Sequence, residues 1–264
     1  MKEIKLVVSD LDDTFLNKEK TVIPELIRCV EELKERNILF SFISGRPPYG
    51  IQPYAEQVPV TGPLVGCNGA VIYRGDLVLA RHSFSLGLLR EIMEKSAALG
   101  MTVLFYSGDT EYTLSETEWT RDRFKGGRSL PVKSMSPGDW KTMTAEKVNI
   151  MSPPGGMEFS VFRKELEPLL SLFSVALYDG FGCEIAAPGI NKAEGLRELC
   201  SIVKVPMENT LAVGDNANDL EMVREAGIGA AVANAVEPVR NAADYVCQNQ
   251  YGLGVLEAIR RFCF

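Results

Sequence analysis

IKLVVSDLDDTFL, residues 4–16, decides how this chain folds. Its first half is an apolar run with β-branched residues, the composition of a strand buried on both faces. It stops at three carboxylates, Asp10, Asp12 and Asp13, followed by Thr14. Acids at the C-terminal end of a buried strand sit where open α/β sheets bind ligands. Asp10 and Asp12 are two apart, so an extended backbone points both the same way. Two carboxylates about 4 Å apart repel by roughly 4 kcal/mol at an effective dielectric near 20. The stretch therefore calls for a cation or a shared proton between them, unless it is only a solvated acidic turn.

The rest of the chain bears on that choice. Its 264 residues exceed what one core usually holds, which implies two domains. A net charge of −7 argues against a nucleic-acid groove and against an anionic membrane surface. It leaves a small anionic substrate open, because local cations and a metal dominate a single site. The six cysteines form no C-x-x-C pair and read as reduced, mostly buried thiols of a cytoplasmic protein. The N-terminus runs into the first strand without a signal-peptide pattern, and no apolar run reaches the ~18 residues of a membrane helix. No obligate protein partner is evident.

In chain order, Thr21 reads as an N-cap, with Pro24 early in a helix whose stripe is Ile23, Leu26, Ile27, Val30 and Leu33. Asn37 ends it, and 38–43 is a second buried strand closing on Ser44-Gly45-Arg46. A strand–helix–strand unit implies a parallel pair, so Ser44 ends on the same sheet edge as Asp10. Pro47 and Pro48 open a helix to about residue 58. A strand at 64–67 precedes Asn68-Gly69, and 70–73 with 77–80 form a hairpin. From 84 to 188 the rhythm changes: helix 85–99, strand 101–106, a polar region with Trp119, the basic run Arg121 to Arg128 and Trp140. Strand 147–151, helix 158–172 and strands 174–178 and 183–187 follow. Both Trp residues read as core, and the basic run as a solvated face before a substrate contact. The expected organisation is an α/β layered core of mainly parallel sheet, residues 1–83 and 189–264, with an α/β domain, 84–188, inserted into it. The core resumes with helix 192–203 capped by Asn191, strand 210–213, helix 219–226, strand 229–232, helix 236–242, strand 245–247 and helix 255–262.

Four features then converge on one sheet edge: Asp10 with Asp12, Ser44, Lys192 at a helix start, and Gly214-Asp215-Asn216-Ala217-Asn218-Asp219 after another buried strand. Each has a bland reading as turn, cap or solvated charge. A lysine at a helix N-terminus opposes the helix dipole, which points to an anion nearby. All-oxygen ligation without His or Cys favours a hard cation, Mg²⁺ first. His82, the single histidine, stands outside the set as a surface or hinge residue.

These residues resemble the motifs of haloacid dehalogenase-superfamily phosphatases, Cof-type, the subclass with a large α/β cap inserted after the second motif. The resemblance covers the whole length. Asp10-Leu11-Asp12-Asp13-Thr14 is similar to D-x-D-x-T, Ser44-Gly45-Arg46 and Lys192 to the second and third motifs, and Gly214 to Asp219 to G-D-x-x-N-D. Asn68-Gly69-Ala70 and the tail from Asn234-Ala235 to Gly252 also resemble that subclass. Asp13 stands for a frequent Gly, and Ser44 for a frequent Thr.

The resemblance implies hydrolysis of a small phosphorylated metabolite, such as a sugar phosphate. Asp10 would be the nucleophile that becomes an aspartyl-phosphate, and Asp12 the acid and base. Mg²⁺ would bind the Asp10 side chain, the Asp12 carbonyl and Asp215, with Asp219 behind them orienting Lys192 or a metal-bound water. Ser44, Lys192 and Asn218 would hold the phosphoryl group. Arg46 would contact substrate or pair with a carboxylate, and Asn68 would contact substrate or only enable the turn at Gly69. The inserted domain would close over the site and choose the leaving group. A phosphomutase and a non-catalytic phospholigand-binding protein are the alternative readings.

Overall fold

The computed structural model describes residues 3–123, 131–153, 164, 166–178 and 181–264. The chain divides into two compact units, Met1–Ala80 with Asn191–Phe264, and Arg81–Ile190. Residues 158–163 and 165 of the expected helix 158–172, and residues 124–128 of the basic run, lie outside the described residues; the described part of that helix holds a 3₁₀ turn, Glu167–Leu169. The α/β class expected from the sequence is the class observed.

The first unit is built on a five-stranded sheet, in the order Tyr245–Val246, Ile228–Ala231, Thr210–Gly214, Leu6–Ser9, Leu39–Phe42. All its pairs are parallel, and Leu6–Ser9 lies between two strands, opposite Thr210–Val213 on one side and Leu39–Phe42 on the other. Its residues are fully buried because both sheet faces are covered. On one face Leu6, Val8, Ile43, Val65, Leu196 and Ala212 share a core. Elsewhere in the unit Phe15, Phe40 and Phe42 pack ring against ring at 4.7–5.6 Å.

The helix Pro24–Glu35 buries Leu26, Cys29, Val30 and Leu33 and is capped by Ile23 backbone, not by Thr21. Thr21 instead hydrogen-bonds the Asn17 side chain. Asn37 adopts the left-handed conformation expected of a helix stop. The closing helix starts at Tyr251, four residues before the expected 255, because Gly252 and Gly254 disguise its first turn.

The second unit carries an antiparallel five-stranded sheet, in the order Ser174–Tyr178, Gly182–Ala186, Lys147–Met151, Thr102–Ser107, Thr110–Thr113. The strand Thr110–Thr113 falls where the sequence reads only as polar. Val103, Phe105, Val148, Ile150, Cys183 and Ile185 share one sheet face and are all buried. The expected helix 85–99 is a 3₁₀ turn, Leu86–Leu89, followed by the helix Arg90–Ala98. The helix Pro137–Thr142 opens on a Ser136–Asp139 capping box. It buries Trp140, whereas Trp119 is half-buried. His82 is half-buried at the start of this unit.

Candidate active site

Strand Leu6–Ser9 delivers Asp10 to the carboxyl edge of the sheet, where its N–H donates to the Val213 carbonyl at 2.9 Å. The neighbouring strand Thr210–Gly214 delivers Asp215 to the same edge. Beyond it Asn216 caps the short turn Ala217–Asp219, and the Asp219 carboxylate turns back to accept the N–H groups of Asp215 and Asn216 at 3.1 and 3.0 Å. Asp219 is thus both a cap and a charge at the centre.

Lys192 is 1% exposed, and its Nζ lies 2.6 Å from Asp10 Oδ1 and 2.6 Å from Asp219 Oδ1. Burial works against the ammonium, but Asp10 and Asp219 overcome it and hold Lys192 above the ordinary lysine range. Asp10, Asp215 and Asp219 each offer an oxygen within 4.8 Å of the others. Burial, and then the other acids, push Asp10 well above the usual carboxylate range against the pull of Lys192. Burial and Asp219 bring Asp215 up to about 7. Three carboxylates share one ammonium, so the cluster is short of positive charge. An all-oxygen donor set with that deficit fits a hard divalent cation.

Asp12 does not join this cluster. Its carboxylate takes a two-pronged contact from Arg46, Nε at 2.6 Å and Nη2 at 2.7 Å, and a third from Lys20 Nζ at 3.0 Å. Burial raises its pKa, but Arg46 and Lys20 win and hold it at about 2. Among the described residues, the Asp10 and Asp12 carboxylates share no side-chain cation. The reason is local. The strand ends at Ser9 and Leu11–Phe15 coils, so the two side chains do not keep the alternation of an extended strand; within that coil Asp13 takes φ 59°, the left-handed region. The sequence departs from glycine at that position, yet the conformation that favours glycine remains.

Of the two readings of Arg46, the structure gives the carboxylate pair. Its guanidinium also donates to the Gly50 carbonyl at 3.2 Å and lies 5.0 Å from the Tyr54 ring centroid. Ser44 is buried and its Oγ accepts the Arg46 N–H at 3.2 Å. Asn68 stands at φ 51°, and its Oδ1 accepts from Asn218 Nδ2 at 3.1 Å. The two asparagines thus form one contact, which unites the Asn68-Gly69 turn with the Asp215 loop.

Three supports went unread in the sequence. Thr14 Oγ1 donates to Asp215 Oδ1 at 2.6 Å. Asn234 Nδ2 donates to the Asp13 carbonyl at 2.7 Å while its Oδ1 accepts the Tyr251 N–H. Gly69 and Gly195 meet back to back: a Cβ on Gly195 would stand 2.7 Å from Gly69 Cα, and one on Gly69 would stand 2.4 Å from the Asn191 carbonyl. That close approach seats the N-terminus of the helix Lys192–Val203, and with it Lys192. The signal was present as glycines at 69 and 195, but spacing of about 125 residues hides a pair that only the fold brings together.

The family model for haloacid dehalogenase-like hydrolases matches residues 7–259. The chain belongs to that family. A relative, the phosphoglycolate phosphatase of Methanobrevibacter smithii, is 41% identical over 264 residues, covering 98% of each chain. The 5-amino-6-(5-phospho-D-ribitylamino)uracil phosphatase of Bacillus subtilis is 25% identical over 98% of this chain and 96% of its own. Among solved structures, a haloacid dehalogenase-like hydrolase from Bacteroides thetaiotaomicron superposes with a TM-score of 0.82 at 27% identity, covering 98% of this chain and 99% of that one. No helix among the described residues is long and apolar enough to cross a membrane.

Proposed function

We propose that this phosphatase hydrolyses a small phosphorylated metabolite, with Mg²⁺, through an aspartyl-phosphate on Asp10. The observation that carries the reading is the buried cluster of Asp10, Asp215 and Asp219 around Lys192 at one sheet edge. Asp10, Asp215 and the Asp12 carbonyl would hold the ion. When bound, Mg²⁺ would offset the repulsion between carboxylates and phosphate and the charge that develops in transfer. Asp219 has both oxygens engaged by Lys192 and two backbone N–H groups, which suits a supporting role.

An Asp10 oxygen attacks phosphorus, and the bond from phosphorus to the leaving oxygen breaks as Asp12 gives that oxygen a proton. Water then attacks the acyl phosphate, Asp12 takes the proton back, and inorganic phosphate departs. Before the first step Asp12 leaves the Arg46 and Lys20 contacts that keep it ionised and takes a proton from solvent, which it then gives to the leaving oxygen. Lys192 balances phosphoryl charge, and Ser44 and Asn218 donate to phosphoryl oxygens.

Two relatives carry names with different leaving groups, glycolate and a ribityl chain. Both belong in a screen of phosphorylated metabolites, with Mg²⁺ and with EDTA. Acid quenching during turnover should trap a phosphoryl adduct on Asp10, detected by peptide mass spectrometry. An adduct on another residue, or full activity in EDTA, contradicts the reading. Release of inorganic phosphate rather than an isomeric phosphate ester separates hydrolase from mutase.

A further inference from the structure

Both oxygens of Asp12 are engaged by cations. Arg46 Nε donates to Oδ2 at 2.6 Å and Arg46 Nη2 to Oδ1 at 2.7 Å, the fork that a guanidinium offers a carboxylate. Lys20 Nζ lies 3.0 Å from the same Oδ1. To reach a leaving oxygen, Asp12 has to give up these partners. The fork it leaves behind stays in place. Arg46 Nη1 is held by the Gly50 carbonyl at 3.2 Å, and the guanidinium lies 5.0 Å from the Tyr54 ring centroid. Its side chain is 25% exposed, so a small ligand can reach it.

Charge then sets the sign of that ligand. Lys20 also contacts Asp13, at 3.2 Å, and keeps that partner when Asp12 turns away. Arg46 has no other ion-pair partner among the described residues. A partly buried guanidinium that loses its carboxylate is left with an unmet charge and two unmet donors. Substrate hydroxyls would satisfy the donors and leave the charge. A carboxylate satisfies both, in the geometry that Asp12 has vacated. Distance follows from the same exchange. Asp12 moves between the fork and the leaving oxygen by rotating one short side chain, so the two stations lie close together.

Resting on the phosphatase reading, we infer that the leaving group carries a carboxylate one or two carbons from the ester oxygen, and that this carboxylate takes the Arg46 fork as Asp12 turns to the leaving oxygen. Arg46 is then both the resting partner of Asp12 and the residue that selects the substrate. Lys20 neutralises Asp13, which would otherwise repel the incoming acid.

The test is steady-state kinetics of the full chain, with Mg²⁺, on three probes. These are 2-phosphoglycolate, 2-hydroxyethyl phosphate, which has a hydroxymethyl group in place of the carboxylate, and p-nitrophenyl phosphate. Nitrophenolate departs without a proton, so the third ester reports the Asp10 cluster rather than the Asp12 exchange. The wild type should favour 2-phosphoglycolate over 2-hydroxyethyl phosphate by at least about thirtyfold in kcat/KM. Arg46→Lys keeps the charge and loses the fork. It should shrink that ratio at least about tenfold, mainly through KM for the carboxylate ester. A purely structural role for Arg46 would lower both esters together and leave the ratio unchanged, which overturns the assignment of the fork. Equal wild-type rates on the two alkyl esters, with p-nitrophenyl phosphate still hydrolysed, overturn the substrate class and leave the phosphatase reading standing. Absence of turnover on all three overturns the phosphatase reading and this inference with it.

Discussion

Asp10 and Asp12 are the same residue two positions apart, and the chain treats them as opposites. Asp10 is 5% exposed, bound to one buried lysine and crowded by two other acids. Asp12 has a side chain 35% exposed and is gripped by Arg46 and by Lys20, which it shares with Asp13. The coil Leu11–Phe15 separates a cluster short of positive charge from a clamp in which Arg46 and Lys20 match Asp12 and Asp13. The lesson is that carboxylate spacing in sequence does not set carboxylate environment. The backbone turn does, and with it the direction of each pKa.

The contrast breaks most visibly at its buried end. Asp10→Asn should lower aryl phosphate turnover on the order of 10⁴-fold, with the circular dichroism spectrum unchanged. Lys192→Met leaves Asp10 and Asp219 facing each other without a cation. Urea unfolding should register a loss of about 3–5 kcal/mol, together with a rate loss of orders of magnitude. Acidity separates the two ends further. Asp215 is raised to about 7 from 3.8, so between about pH 4 and 7 the folded chain holds a proton that the unfolded chain lacks. With EDTA present, melting temperature should therefore fall as pH rises through 7, and Asp215→Asn should flatten that slope. Asp12 behaves in reverse. Its depressed pKa contributes stability that is complete above about pH 4 and lost toward pH 2.

Smaller effects sharpen the comparison. Gly195→Ala pushes a Cβ against Gly69 and should cost about 1–3 kcal/mol in urea unfolding, with reduced turnover as Lys192 shifts. Arg46→Ala opens the clamp rather than the cluster. Because that pair is partly solvated, the stability loss should be only about 1 kcal/mol.

The parallel core was legible because its strands are short apolar runs that end in chemistry-bearing residues. Asp10, Ser44, Lys192, Asp215 and Asp219 could each be named from one sheet edge. Contacts that cross the fold were not legible. Thr14 on Asp215, Lys20 on Asp12 and Gly69 against Gly195 depend on turns and helix seats that no local pattern encodes. The strand Thr110–Thr113 escaped because Glu111 and its neighbours look like loop. Glu111 is polar for a sheet face that also holds Lys147 and Glu184.

The cation fit of the buried cluster is most directly tested by isothermal titration calorimetry of Mg²⁺ into the wild type and Asp215→Asn. One site per chain in the wild type, and affinity reduced at least tenfold in the variant, is the expected result. Equal affinity in the two proteins, or no heat from the folded wild type, contradicts the assignment of that cluster as the metal centre.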